Sequence, residues 1–271
     1  MTVEAFAPAK INLTLHVTGQ RADGYHLLES LVVFADVGDR LTVNKAAESS
    51  LTVTGPMAKG VPIDPGNLVM QAANLMGVSA KVTLEKHLPT AAGVGGGSSD
   101  AAAMLRALTD LEDQPLPVDM GLGLGADVPV CVFASAATMA GIGEQVTPVR
   151  SLPALPAVLV NPRMSVSTPD VFRALAKKAN PPMEALPTSQ DIQDVCDWLG
   201  RQRNDLEGPA RQIQPVIADV LQALDGALLA RMSGSGATCF GIYCDDLAAT
   251  NAADRIKQAH PEWWVAATIL K

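Results

Sequence analysis

Pro89-Thr90-Ala91-Ala92-Gly93-Val94-Gly95-Gly96-Gly97-Ser98-Ser99-Asp100-Ala101-Ala102 is the stretch on which the reading of this chain turns. Upstream, Val82 and Leu84 alternate with polar residues and suggest a short strand. Downstream, Ala101, Met104, Leu105, Leu108 and Leu111 recur at helical spacing and predict a helix over 99–111. Between the two, glycines without a Cβ can adopt positive φ, so several backbone N–H groups can converge on an anion. The helix that follows adds the partial positive charge of its N-terminus, and Ser98 or Ser99 can cap it or touch a phosphate oxygen. The bland alternative is a flexible turn before a capped helix. Four glycines, two serines and the strand-to-helix setting favour a phosphate cradle.

Other phosphate loops fit poorly. A Walker A loop requires Lys-Ser/Thr after its last glycine, where this chain has Ser98-Ser99-Asp100. No His-Arg-Asp or Asp-Phe-Gly string supports a protein kinase. A Rossmann loop would follow the first strand and carry glycine in place of Ser98.

Composition bounds the rest. With 271 residues, 48% of them hydrophobic and 18% charged, the chain can bury one or two cores, and wholesale disorder is excluded. Aromatics are only 4%, so Ala, Val, Leu and Met must fill those cores. A net charge of −8 argues against nucleic acid or an anionic membrane as a partner, though not against small anions held by backbone N–H groups. No apolar run reaches membrane-helix length, and the first residues lack a basic segment followed by an apolar one, so a cytoplasmic protein without a signal peptide is expected. Cys131, Cys196, Cys239 and Cys244 form no C-x-x-C pair and read as reduced thiols rather than a zinc site.

Along the chain, Ile11, Leu13, Leu15 and Val17 alternate with Lys10, Asn12, Thr14 and His16, which predicts a strand over 9–17 with Lys10 and Asn12 on its polar face. A turn follows at Asp23-Gly24, then strands over 31–34 and 40–43 and a helix over 67–76. Val128, Val130 and Val132 read as a strand that Asp127 enters, and 157–160 as another. Proline-bearing segments place a boundary near 150–165, giving domains 1–158 and 159–271. The second should hold helices over 214–224 and 247–260, two short strands about the Gly234-Ser235-Gly236 turn, and a strand over 263–270. Strands and helices are mixed throughout, as in an α/β or α+β protein.

The loop resembles the second motif of the GHMP kinases (galactokinase, homoserine, mevalonate and phosphomevalonate kinases), with Val94 where that motif usually has Leu. Other segments agree in order. Ala7-Pro8-Ala9-Lys10-Ile11-Asn12-Leu13 is similar to the first motif, and Leu124-Gly125-Ala126-Asp127-Val128-Pro129-Val130 to the catalytic segment. Gly141-Ile142-Gly143-Glu144, Ser167-Thr168-Pro169 and Asn204-Asp205-Leu206-Glu207 also fit, and Arg231-Met232-Ser233-Gly234-Ser235-Gly236-Ala237-Thr238 is similar to the third motif. Three glycines before Ser-Ser-Asp, with Asp23-Gly24-Tyr25-His26, resemble the branch whose acceptor is a cytidine diphosphate-linked methylerythritol on the methylerythritol phosphate route to isoprenoids.

The resemblance implies a two-domain GHMP kinase fold: an N-terminal ribosomal-protein-S5-like domain over 1–158, and a C-terminal ferredoxin-like α/β sandwich over 159–271, with the site in the cleft between them. It implies transfer of the γ-phosphoryl of ATP, with Mg2+ expected, to the 2-hydroxyl of the cytidine-linked alcohol, by a monomer or homodimer. Asp127 would take the hydroxyl proton and Lys10 would steady the phosphate oxygens. Pro89, Thr90, Ala91, Ala92, Gly93, Val94, Gly95, Gly96, Gly97, Ser98 and Ser99 would hold ATP, with Asn67 and Lys86 near adenine and its phosphates. Asn12, Tyr25, His26, Thr168 and Phe172 would bind the acceptor, Tyr25, His26 and Phe172 at the cytosine. From the residues alone, Lys10 could be a solvated strand lysine and Asp127 a turn cap. A different small-alcohol kinase and a non-catalytic nucleotide binder stand as the rival functions.

Overall fold

The computed structural model describes residues 1–90 and 92–271. Its elements, in chain order, are β1 (Thr2–Asn12), β2 (His16–Gln20), β3 (His26–Lys45), β4 (Ser50–Thr54), α1 (Leu68–Leu75), β5 (Ala80–Glu85), α2 (Gly96–Glu112), α3 (Val128–Phe133), β6 (Ala137–Gly141), β7 (Gln145–Pro148), β8 (Leu155–Asn161), α4 (Thr168–Ala174), α5 (Ile192–Arg201), α6 (Glu207–Ile213), α7 (Val216–Ala223), β9 (Leu229–Met232), β10 (Cys239–Ile242), α8 (Asp246–Ala259) and β11 (Trp264–Leu270). Among the described residues, no helix is long and apolar enough to cross a membrane.

The chain divides into two compact units, each assembled from separated segments. The first comprises Met1–Lys10, Val37–Thr90 and Gly95–Ala134. In it, the second half of β3 pairs antiparallel with β5, Arg40 opposite Glu85 through Lys45 opposite Ala80, and β4 pairs parallel with β5. Helix α2 packs against α1 and α3. It presents Ala101, Ala102, Ala103 and Ala107 to the core beside Met104, Leu105 and Leu108, all buried. Small side chains at these positions let neighbouring elements approach closely, which suits an aromatic-poor sequence.

The second unit comprises Ile11–Asp36, residues 92–94 of the loop and Ser135–Lys271. Its antiparallel sheet runs β11-β8-β10-β9. β8 is buried at every residue, as befits a strand covered on both faces. Val158, Val160, Met232 and Tyr243 of the sheet region form a core with Ile217 and Val220 of α7 and Ala252 and Ile256 of α8. The first half of β3 pairs with β2 on one side and with β6 on the other.

Most expected elements form within two or three residues of their predicted ends, and three differ. The expected strand over 9–17 is two strands, interrupted at residues 13–15. The strands expected at 31–34 and 40–43 are parts of one strand, β3. The segment Val128–Val132, read as a strand, is the helix α3. All five of its residues are buried, so apolar side chains occupy every position and alternation carries no information. Pro129 stands in the first helical turn, where its missing N–H has no helical acceptor to lose.

Candidate active site

Within the first unit, three distant segments meet. Lys10, near the end of β1, has a side chain only 5% exposed, and its Nζ lies 2.7 Å from Oδ2 of Asp127. That burial removes the solvated-lysine alternative. Asp127 occupies the N-cap position of α3 but makes no capping hydrogen bond with its side chain, so it is not a turn cap; 37% of the side chain is exposed. The third segment is the loop. Gly95 stands at φ 62° before α2, and a Cβ there would lie 3.1 Å from Cβ of Lys10. Glycine therefore permits both the left-handed conformation and the close approach of the lysine stem.

The first turn of α2 supplies the cradle. Ser99 N–H donates to Gly95 O at 2.8 Å, so the N–H groups of Gly96, Gly97 and Ser98 precede the first intrahelical bond and are available to an anion. Ser99 Oγ donates to Pro8 O in β1 at 2.7 Å and is fully buried. Of the two serines, Ser98 is thus the one whose hydroxyl is not committed to β1. Pro89 and Thr90 lead into the loop, and Ala91 lies outside the described residues.

Beneath this turn sits a buried charge cluster. Lys86 Nζ contacts Asp39 Oδ2 and lies 2.7 Å from Asp100 Oδ2; a Cβ on Gly96 would be 3.6 Å from it. Asp39 also accepts the N–H groups of His87 at 2.6 Å and Leu88 at 2.9 Å, which fixes the chain leading to the loop. Burial opposes the charge on Lys86, but Asp100 and Asp39 outweigh it and hold its pKa above the ordinary value. Two carboxylates share one ammonium, and burial pushes the Asp100 carboxyl up to about 7, with Lys86 opposing and Asp39 adding to the rise. Asp100 Oδ1 has no hydrogen-bond partner among the described residues. Lys86 is thus engaged by carboxylates, and Asn67 caps α1, accepting from Val69 N–H at 2.9 Å and donating to Pro62 O at 2.7 Å.

In the second unit, the rest of the loop packs on the Gly234-Ser235-Gly236 turn. Ala92 O accepts from Thr238 N–H at 3.1 Å, and Gly93 O accepts from Ser233 Oγ at 2.9 Å. Ser233 Oγ also receives the N–H of Asn12 at 3.1 Å, and Asn204 Nδ2 donates to Met232 O at 2.7 Å and Gly234 O at 2.9 Å. Gly93 has φ 72°, and a Cβ there would lie 2.5 Å from Ser233 O. Val94 is buried beside it.

The same unit brings His26 and Phe172 together as stacked rings, centroids 4.8 Å apart and 23° from coplanar. His26 Nε2 is buried without a hydrogen-bond partner among the described residues, as is Asn12 Oδ1. Burial, followed by the charge of Lys178, lowers the His26 pKa, so the ring is neutral at neutral pH. Tyr25 stands 62% exposed, a flat face open to a ligand. Thr168 Oγ1 is 2.7 Å from Ser235 Oγ. Asp39, Ser233 and Ser235 escaped the sequence reading as site residues. Asp39 lay between the strands expected at 31–34 and 40–43, among Asp36, Gly38 and Arg40, and gave no signal of its own.

Two family models match in chain order: residues 67–135 match the GHMP kinases N terminal domain, and residues 182–262 match GHMP kinases C terminal. A 4-diphosphocytidyl-2-C-methyl-D-erythritol kinase of Dinoroseobacter shibae is 58% identical over 99% of this chain and 95% of its own length. The enzyme of the same name from Ruegeria pomeroyi is 55% identical over 98% of each. A crystal structure of a 4-(cytidine 5'-diphospho)-2C-methyl-D-erythritol kinase superposes with TM-score 0.81 at 35% identity, covering 99% of both chains. A crystal structure of L. major mevalonate kinase in complex with R-mevalonate matches at TM-score 0.69 and 17% identity over 100% of this chain and 96% of its own, a likeness of fold.

Proposed function

Since the chain belongs to the 4-diphosphocytidyl-2-C-methyl-D-erythritol kinases of the GHMP kinase family, we propose that Lys10 and Asp127 carry its phosphoryl transfer. The activity is phosphorylation by ATP of the 2-hydroxyl of 4-diphosphocytidyl-2-C-methyl-D-erythritol, a step toward isoprenoid precursors. The observation that supports the assignment of residues is the 2.7 Å pair of Lys10 and Asp127 beside the first turn of α2.

In this reading the first-turn N–H groups of Gly96, Gly97 and Ser98 receive the nucleotide's phosphate oxygens. Asp127 Oδ accepts the proton of the attacking hydroxyl, and Lys10 orients that carboxylate and faces the charge of the transferred group. The other described loop residues, Pro89, Thr90, Ala92, Gly93, Val94 and Ser99, shape the cradle, and Asn67 and Lys86 support it, the former through α1 and the latter from below. Tyr25, His26 and Phe172 bind cytosine by stacking and through the unpartnered His26 Nε2. Asn12 and Thr168 face the acceptor. The sequence division at 158 and 159 belongs to the same proposal, as the boundary of N- and C-terminal kinase segments.

Mg2+ would neutralise the phosphate oxygens when bound with ATP. Among the described residues no three His, Cys, Asp or Glu side chains gather into a metal cluster. The Asp127 carboxylate and the Ser98 hydroxyl are hard oxygen donors near the cradle that would hold such a cation together with phosphate and water.

The test is ADP release with the cytidine-linked substrate. Lys10→Met and Asp127→Asn should each lower kcat by about 10²-fold or more with the KM for ATP changed little. Wild-type turnover in both variants would overturn the assignment. ATP binding without ADP release would favour a non-catalytic binder, and turnover of other alcohols alone a different kinase of the family.

A further inference from the structure

Helix α3 holds Asp127 at its first end, yet it is only six residues long, from Val128 to Phe133. A helix this short does not persist on its own, and Asp127 adds no cap to it. Its position is therefore imposed from outside. The buried Val128, Val130, Cys131 and Val132 attract it to the core, but apolar contact has no preferred direction.

The directional link is Arg106, on α2. Its Nη1 donates to Cys131 O at 2.7 Å and to Val132 O at 3.3 Å, and its Nη2 donates to Phe6 O at 2.8 Å. Cys131 and Val132 offer the unsatisfied carbonyls at the C-terminal end of α3, where the helix dipole is negative and a cation is favoured. Phe6 lies on β1, four residues before Lys10. One planar guanidinium thus bonds both elements that carry the 2.7 Å ion pair, from the helix whose first turn forms the cradle. Ser99 Oγ adds a second tie from the same helix to β1, at Pro8 O.

We propose that Arg106 is a positioning residue for phosphoryl transfer, holding α3 and β1 in the register that sets Asp127 against Lys10. It touches neither residue of the pair and lies outside every motif quoted above. The inference rests on the reading of Lys10 and Asp127 as the reacting pair, and its test separates the two.

The experiment measures ADP release, KM for ATP and for the cytidine-linked substrate, and folded fraction by circular dichroism. The variants are Arg106→Met, Arg106→Lys, Arg106→Ala, Asp127→Asn, and Arg106→Met combined with Asp127→Asn. Arg106→Met should lower kcat per folded molecule by about 10-fold or more while both KM values stay within about threefold, because a displacement near 1 Å at the reacting groups is costly. Arg106→Lys should recover part of the loss, and millimolar guanidinium should raise the turnover of Arg106→Ala. In the Asp127→Asn background, Arg106→Met should cost less than in the native background, because only the placement of Lys10 remains to be lost. Wild-type kcat in Arg106→Met, a loss equal in both backgrounds, or a loss that follows folded fraction alone would overturn the inference. Full turnover in Asp127→Asn would instead overturn the reading beneath it, and the inference with it.

Discussion

Gly93 shows what a single residue decides. Its φ of 72° costs an alanine about 1–2 kcal/mol, and the methyl would stand 2.5 Å from Ser233 O. Backbone occupies the space, so the loop itself would have to move. Gly93→Ala should lose about 2–4 kcal/mol in urea unfolding and lose ATP turnover with it. Phe172 makes a complementary case, since its loss removes one ring from the His26 stack without touching Asp127. Phe172→Ala should raise KM for the cytidine-linked substrate by about 2–10-fold, the worth of an aromatic pair, while kcat changes little. Initial rates at saturating ATP would check it. The glycine loop was legible from its own residues, whereas Lys10 and Asp127 were singled out only through motifs of the family resemblance, and their ion pair shows only in the fold. His26 and Phe172 came from the family resemblance, and their stacking shows only in three dimensions. Asp39 was illegible because it is one of three acids along β3, with Glu29 and Asp36, and nothing in their spacing reveals its partners, Lys86 and the His87 and Leu88 amides.

At the scale of elements, α2 and α3 mark what a periodicity can and cannot disclose. Helix α2 is buried at every residue from 99 to 105, but its 17 residues are long enough for helical spacing to show, and it was read correctly. Helix α3 has only six residues and is buried from Val128 to Val132, so the valines that suggested a strand merely report apolar surroundings. The start of α2 also rests on charges that no hydrophobic pattern contains. Removing Asp39 leaves Lys86 paired with Asp100 but takes the acceptor from the buried Leu88 N–H; Asp39→Ala should cost about 1–3 kcal/mol in denaturant unfolding. Asp100 adds a pH dependence. Its carboxyl is pushed up to about 7 in the folded protein against an ordinary 3.8, so between those values the folded state holds more protons than the unfolded chain. Its contribution to stability therefore falls as pH rises through that window. Asp100→Asn should flatten this slope, as read from melting temperatures at intervals from pH 5 to about 8.

For the whole molecule, the order of residues and the order of contacts diverge. Texture along the sequence changes near 150–165, and a division at 158 and 159 follows from it. That division falls inside β8, Leu155–Asn161, which pairs with both β10 and β11. The unit that contains β8 also draws on Ile11–Asp36 and residues 92–94, so the chain enters it three times. Its last strand depends on the earliest segment: Leu270 stands opposite Ala35, and Phe34 and Lys271 exchange backbone bonds of 2.8 and 2.9 Å. Composition cannot register such returns, because each segment looks ordinary where it lies in the sequence. The consequence is testable by cutting. A fragment of residues 159–271 retains α7, α8, β9, β10 and β11 but loses half of the central strand and all of β2 and β3. It should fail to show a cooperative unfolding transition in urea, whereas the intact chain should show one. A fragment that unfolds cooperatively on its own would mean that the early segments decorate this core rather than complete it.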